Sequence, residues 1–147
     1  MNLENIEYRI MVDIGLTHIA LQVTDMDRSL GFYRKYAAME VVHERTDAQS
    51  GRRVAWISDK TRPFVIVLAE SIQITAALSP FAHLGVGVVS REEVDRMCIE
   101  ASKEGVLIDG PTDSGYPVGY WAFLRDPDGH TLEIAFGQEV ALTIDRS

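Results

Sequence analysis

The chain has 147 residues, of which 46% are hydrophobic, and this size allows one compact domain or two half-domains that share a core. Its 22 acidic and 14 basic residues give a formal net charge of −8, which disfavours binding to nucleic acids and to anionic membrane surfaces. A single cysteine excludes a disulfide within the chain, and no apolar run reaches the ~18–20 residues of a membrane span, so we expect a cytoplasmic protein.

The first half of the chain predicts one strand, one helix and three further strands. Residues 16–24, LTHIALQVT, alternate aliphatic residues with polar or small ones, which is typical of a strand. Thr24 or Asp25 can cap the helix that follows, in which apolar residues recur at helical spacing. Three β-rich runs come after this helix, at 40–45, 52–58 and 63–69.

The second half predicts the same order of elements. Residues 81–90, FAHLGVGVVS, read as a strand, and Ser90 with Glu93 forms a capping-box pattern that starts a helix. Gly105 is a suitable terminator for this helix. The turn sequence DPDG at 126–129 joins the last two strands as a hairpin. The three β-rich runs here are 106–109, 118–124 and 131–136.

The two halves therefore form an internal repeat, in which His18 and His83 take the third position of matching segments 65 residues apart. We predict an α+β fold of two βαβββ modules that form a curved mixed sheet with helices on its outer face. The predicted division of the chain is an N-terminal extension (1–14), a first module (15–70), a linker (71–80), a second module (81–138) and a C-terminal tail (139–147).

Strand alternation predicts which side chains share a face of the sheet. His18 lies on the face of Ala20, and His83 on the face of Gly85, while the bulky aliphatic residues point the other way. Glu133 likewise points away from the bulky aliphatic residues of its own strand, the last one in the chain. Small neighbours leave space for a cavity, and two imidazoles with one carboxylate form a known ligand set for divalent metals. We therefore predict a metal site of His18, His83 and Glu133.

Several other residues have both a structural and a functional interpretation. Trp56 and Trp121 can line a substrate pocket with Ala20 and Gly85, although large aromatic residues in strands usually pack in a core. His43 and His130 are expected at the surface, in a strand and in a turn. Cys98 lies on the apolar stripe of its helix and is expected to be a buried small hydrophobic residue rather than a nucleophile.

The sequence resembles the vicinal oxygen chelate superfamily, which includes glyoxalase I, fosfomycin-resistance enzymes, extradiol dioxygenases and bleomycin-resistance proteins. The resemblance lies in THIALQVTDMDRSLGFYRKY, FAHLGVGVVS and WAFLRDPDGHTLEIAFG, and the DPDGHTLE segment is its strongest part. It implies that His18, His83 and Glu133 bind a divalent ion such as Fe, Mn, Ni, Zn or Co. It also implies a homodimer and a small-molecule substrate, with the site formed within one chain or across the dimer.

The sequence departs from each relative in one respect. The fourth ligand of glyoxalase I falls at Ile66 or Val67, and Glu70 would need a bulge to replace it. The catalytic threonine of fosfomycin-resistance enzymes is replaced by Ala20. The additional histidine that extradiol dioxygenases have just ahead of the DPDG turn has no counterpart here, although Tyr120 can serve as a hydrogen-bond donor to bound oxygen or pack as an aromatic residue.

Three functions follow from the resemblance. The leading hypothesis is a metal-dependent, glyoxalase-like lyase or isomerase that acts on a small oxygenated substrate. The second is an extradiol ring-cleaving dioxygenase. The third is a protein that sequesters a ligand without chemistry, as bleomycin-resistance proteins do. The sequence leaves the substrate, the metal and the general base open.

Overall fold

The computed structural model describes residues 12–147, so most of the predicted N-terminal extension (1–14) lies outside the described residues. The first module contains one helix and four strands, namely β1 (His18–Val23), α1 (Met26–Ala37), β2 (Glu40–Thr46), β3 (Arg53–Ser58) and β4 (Val65–Glu70). The second repeats this order with β5 (Leu84–Gly87), α2 (Arg91–Lys103), β6 (Leu107–Asp113), β7 (Tyr120–Arg125) and β8 (Thr131–Phe136). A short helix, α3 (Val140–Asp145), follows where the sequence predicted only a tail.

Each module builds its own four-stranded mixed sheet. The strand orders are β1-β4-β3-β2 and β5-β8-β7-β6, with the first pair of each parallel and the other pairs antiparallel. The predicted α+β fold of two βαβββ modules is therefore confirmed, and the mixed sheet is divided into two. In each module the strand that carries or follows the histidine, β1 or β5, lies at the edge of its sheet.

The helices begin where the sequence predicted and cover one face of each sheet. The side chain of Asp25 accepts a hydrogen bond from the backbone N–H of Arg28, and that of Ser90 accepts one from Glu93, each at 3.1 Å. The buried side chains of both modules form one continuous core, so the modules are not independent domains. The longest described helix, α2, has 13 residues, and none of the described helices has the length and apolar character to cross a membrane.

The hairpin turn 126–130, DPDGH, holds the second module against the first, and we call it the clasp. Asp128 accepts hydrogen bonds from the backbone N–H and the hydroxyl of Thr24, at 3.1 and 2.6 Å. Asp126 is 3% exposed and accepts one from the Tyr33 hydroxyl at 2.8 Å. Burial and the neighbouring Asp126 raise the pKa of this hydroxyl far above its usual value. The clasp therefore fixes α1 against the start of β8.

The surface placement predicted for His130 is wrong, because this residue is the buried end of the clasp. Its side chain is 1% exposed. The Nδ1 atom accepts a hydrogen bond from the backbone N–H of Leu78 at 2.9 Å, and Nε2 donates one to the carbonyl of Gln22 at 2.7 Å. The linker before β5 folds back over the turn and covers the ring. Burial of these polar contacts makes relative movement of the modules costly.

Candidate metal centre

The face of each sheet that is not covered by its helix carries the predicted site residues, and we call it the open face. Cross-strand register places Ala20, Val67, Trp56 and His43 in one row across the first sheet. The matching row of the second sheet is Gly85, Glu133, Phe123 and Asp109. The parity deduced from the sequence is thus correct in both modules, since the opposite face supplies the core.

His83 and Glu133 come together on the open face of the second sheet. His83 Nε2 lies 3.0 Å from a carboxylate oxygen of Glu133, which is 8% exposed. His83 Nδ1 lies 2.6 Å from the carbonyl oxygen of Phe81, which can only accept, so Nδ1 carries the proton of that bond. The histidine sits one residue before β5, and the glutamate in the middle of β8.

This pair fits a metal ion. A neutral imidazole has a single N–H, and the carbonyl of Phe81 takes it up, so the Nε2 lone pair faces the carboxylate of Glu133. Two such acceptors repel each other unless a proton or a cation lies between them. Ligand atoms at right angles on an octahedral ion with bonds of about 2.1 Å lie about 3.0 Å apart. The observed separation of the two atoms is that of an ordinary hydrogen bond, and it also suits adjacent positions on one ion.

His18 lies on the open face of the first sheet, at the start of β1. Its Nδ1 is 2.9 Å from the hydroxyl of Thr17, so that here too the protein engages Nδ1 rather than Nε2. The exposed ring lines a cavity of about 460 Å³ whose wall is largely apolar and includes Val67 and Trp56. The tryptophan remains 39% exposed, as expected for a wall of a binding pocket rather than a core residue.

A single chain does not bring the three predicted ligands together. Within residues 12–147, no group of three histidine, cysteine, aspartate or glutamate side chains is arranged to hold an ion. The His83–Glu133 pair belongs to the second sheet, and His18 belongs to the first. The hydrogen bonds of the clasp hold these two modules in place. The three-residue metal site therefore stays a prediction. One chain supplies its residues in two separate parts, the His83–Glu133 pair and His18.

Strand register shows which residue of the first module matches Glu133. Ala20 pairs with Val67 as Gly85 pairs with Glu133, so Val67 rather than Ile66 takes the place of that glutamate in the first module. Glu70 pairs with the fully buried Val23, and its parity puts it on the helix-covered side of the sheet. Neither residue therefore offers a carboxylate to the open face of the first sheet.

The remaining predicted site residues divide between the two faces. Trp121 lies on the open face of the second sheet, opposite Ala135, and Gly85 lines a second cavity of about 730 Å³. Tyr120 has the opposite parity, and its hydroxyl donates to Asp95 on α2, which raises the pKa of that hydroxyl. The structure therefore places Tyr120 away from the His83–Glu133 pair, and the role of donor to bound oxygen does not suit it.

One site residue was missed in the sequence. Phe123 stands directly opposite Glu133, and its ring centroid is 4.9 Å from that of His83. The two rings pack against each other with their planes tilted by 51°. Strand alternation could have predicted this residue, because Phe123 lies two residues from Trp121 in the same strand and so shares its face. His43 is exposed, as predicted, but its ring packs on Trp56 at 5.2 Å.

Comparisons with known proteins agree with this architecture. The family model of the "Glyoxalase/Bleomycin resistance protein/Dioxygenase superfamily" matches residues 15–134. An uncharacterised protein of Pseudomonas aeruginosa is 35% identical over 126 residues, which cover 84% of this chain and 89% of that protein. A probable lactoylglutathione lyase of Vibrio parahaemolyticus is 24% identical, with 88% and 96% covered.

Two further matches extend the range of chemistry among the relatives. The metapyrocatechase of Geobacillus stearothermophilus is 30% identical over 84% of this chain, which spans 35% of that enzyme. The solved structure of a mutant of the fosfomycin resistance protein FosX from Listeria monocytogenes, in complex with Mn(II) and dihydroxypropylphosphonic acid, superposes with a TM-score of 0.69. It is 20% identical, and the match covers 91% of this chain and 99% of that one. This likeness shows the fold.

Space beside the His83–Glu133 pair gives a testable prediction. A Cβ added to Gly85 meets nothing within 4 Å, so Gly85→Ala should leave the free energy of unfolding within about 1 kcal/mol of the wild type. The matched control is Gly119→Ala, since Gly119 has φ +85° and an added Cβ would lie 2.5 Å from the carbonyl oxygen of Phe136. That control should lose about 1–3 kcal/mol. Urea denaturation at one protein concentration measures both, and an equal loss in the two variants would contradict an open space at Gly85.

Proposed function

The chain belongs to the glyoxalase/bleomycin resistance protein/dioxygenase superfamily, and from this premise we propose that it is a metal-dependent enzyme, a lyase or isomerase in the broad glyoxalase-like sense, acting on a small oxygenated molecule. The observation that carries the proposal is the contact of His83 Nε2 with the Glu133 carboxylate at 3.0 Å. It supports a divalent ion such as Fe, Mn, Ni, Zn or Co, because imidazole and carboxylate together suit these ions.

The third ligand is His18 of a second copy in a homodimer. Two observations support this arrangement. Within residues 12–147 no three candidate ligands converge, and the buried hydrogen bonds of Asp126 and His130 join the two modules and so oppose a rearrangement that would bring them together. The strands β1 and β5 both lie at the edges of their sheets, where a second copy can pack.

The ion would supply Lewis acidity, which stabilises negative charge that develops on two vicinal oxygens of the substrate. Three protein ligands leave room around the ion for both oxygens. The side chains of Trp56 and Phe123 exclude water and contact the carbon skeleton of the substrate. Ala20 and Gly85 keep the space beside the two histidines free. The Phe81 carbonyl and the Thr17 hydroxyl hold the imidazoles with Nε2 toward the ion.

Glyoxalase I in the strict sense is not proposed. Val67 occupies the position where that enzyme has its fourth ligand, and Glu70 faces the helix side of the sheet. A proton transfer next to a carbonyl group would therefore need a base other than a carboxylate of the first module. This limits the proposal to chemistry in which three protein ligands suffice.

Metal content is the first test. Wild-type protein purified without chelator should bind about one divalent ion per chain, and Glu133→Gln should weaken that affinity at least about tenfold, because the amide carries no charge. Glu92→Gln is the matched control, since Glu92 is exposed in the first turn of α2 and lies outside the site. Isothermal calorimetry with Mn(II) or Zn(II) measures all three proteins. Equal binding by wild type and Glu133→Gln would refute the site.

A ring-cleaving dioxygenase is the second candidate. It is favoured by the set of two histidines and one glutamate without a second carboxylate, which is the ligand set of many non-haem Fe(II) oxygenases. The metapyrocatechase similarity agrees with it.

Oxygen consumption separates the two candidates. With Fe(II) and catechols, a dioxygenase should consume one molecule of oxygen per ring cleaved, whereas a lyase or isomerase converts its substrate without oxygen uptake. Glu133→Gln should abolish either activity. If the wild type binds such compounds but turns over none, and Glu133→Gln binds them equally well, a sequestering protein is favoured instead.

A further inference from the structure

One buried imidazole joins the three chain segments that carry the proposed ligands. His130 lies three residues before Glu133, at the turn into β8. Its Nδ1 accepts from the backbone N–H of Leu78, five residues before His83. Its Nε2 donates to the carbonyl of Gln22, four residues after His18 on β1.

Both nitrogen atoms of this ring form hydrogen bonds with backbone groups. Because Nδ1 accepts from an N–H, it has no proton, and Nε2 must carry the proton that it donates to Gln22. The ring is 1% exposed, so no lone pair is left for a metal ion or for a substrate proton. His130 is thus neither a ligand nor a base, and its effect on the site must act through the segments that it holds.

The segment before β5 depends on this ring because the ladder between β5 and β8 begins only at Leu84, paired with Leu132. His83 lies one residue outside the ladder. On its other side the chain is fixed at Leu78, whose N–H binds His130 and whose carbonyl accepts from the N–H of Thr131 at 2.8 Å. The position of His83 is therefore held between the ladder and this attachment.

We propose that His130 is a positioning residue that sets the separation of His83 and Glu133, and this inference rests on the proposed function. The hydrogen bond to Leu78 fixes the segment that presents both His83 and the Phe81 carbonyl, which in turn orients the imidazole. The hydrogen bond to Gln22 serves a different purpose, because it joins β8 to the first module. Loss of the first bond leaves Leu78 attached to β8 through its carbonyl alone and so loosens the segment that carries His83. Loss of the second bond weakens the contact between the modules.

Two conservative variants separate these bonds. In His130→Asn the amide oxygen can take the place of Nδ1 and keep the bond to Leu78, whereas in His130→Gln the amide nitrogen can take the place of Nε2 and keep the bond to Gln22. Both should unfold at lower urea concentration than the wild type, since each loses a buried hydrogen bond. Only His130→Gln should release the segment around His83.

Amide hydrogen exchange of the metal-free protein tests this directly. In His130→Gln, the exchange rate of residues 79–87 should rise at least about tenfold more than the exchange rate of β2 and β3. In His130→Asn, the exchange rates of the two regions should change by the same factor. Co(II) titration should then show weaker binding by His130→Gln, by about tenfold or more, and nearly wild-type binding by His130→Asn. Identical exchange patterns in the two variants would overturn the proposal.

The outcomes for the site and for His130 are distinguishable. If the wild type binds no Co(II), the proposed function fails, while the exchange measurement still decides the role of His130. If the wild type binds Co(II) and both variants bind it equally, the positioning role fails and the metal site stands. The ¹⁵N shifts of the wild-type ring provide a measurement without any variant. They should report a neutral ring protonated at Nε2, and protonation at Nδ1 would contradict the proposal.

Discussion

The arrangement of the whole molecule depends on the clasp, the turn from Asp126 to His130 that inserts against the first module. Its two carboxylates and one imidazole are bound by groups of β1, α1 and the linker. Leaving a buried carboxylate or imidazole without hydrogen-bond partners costs more free energy than a hydrogen bond contributes to stability. These contacts therefore hold the modules in one relative position. The single continuous core of both modules adds to this constraint.

A fixed arrangement of the modules has a consequence for function. The second module supplies an acidic and basic pair, His83 and Glu133, beside Phe123. The first supplies His18 within a largely apolar cavity lined by Trp56 and Val67. The two parts differ in chemical character, since one joins an imidazole to a carboxylate and the other is largely apolar. Because no three ligands converge within residues 12–147 of one chain, we propose that two copies combine the two parts.

The sequence predicted the features that follow from local pattern. Strand alternation placed His18, His83 and Glu133 on open faces, and the capping residues Asp25 and Ser90 start the helices. Local sequence pattern gave the wrong or an incomplete prediction where contacts between distant segments determine the position of a side chain. His130 looked like a surface turn residue because nothing local indicates that the linker covers it, and Val67 could be distinguished from Ile66 only by the register of β1 and β4.

The central claim is that a metal site requires two copies, and a heterodimer of two inactive chains tests it most directly. One chain carries His18→Ala and the other Glu133→Gln, each with a different affinity tag, and the mixed dimer is isolated by both tags. A site formed across copies predicts one tightly bound ion per mixed dimer, two per wild-type dimer and binding weakened at least about tenfold in either variant homodimer, because only one site of the mixed dimer recovers all three native ligands. A mixed dimer without bound metal, beside a wild-type dimer with two ions, would contradict the account.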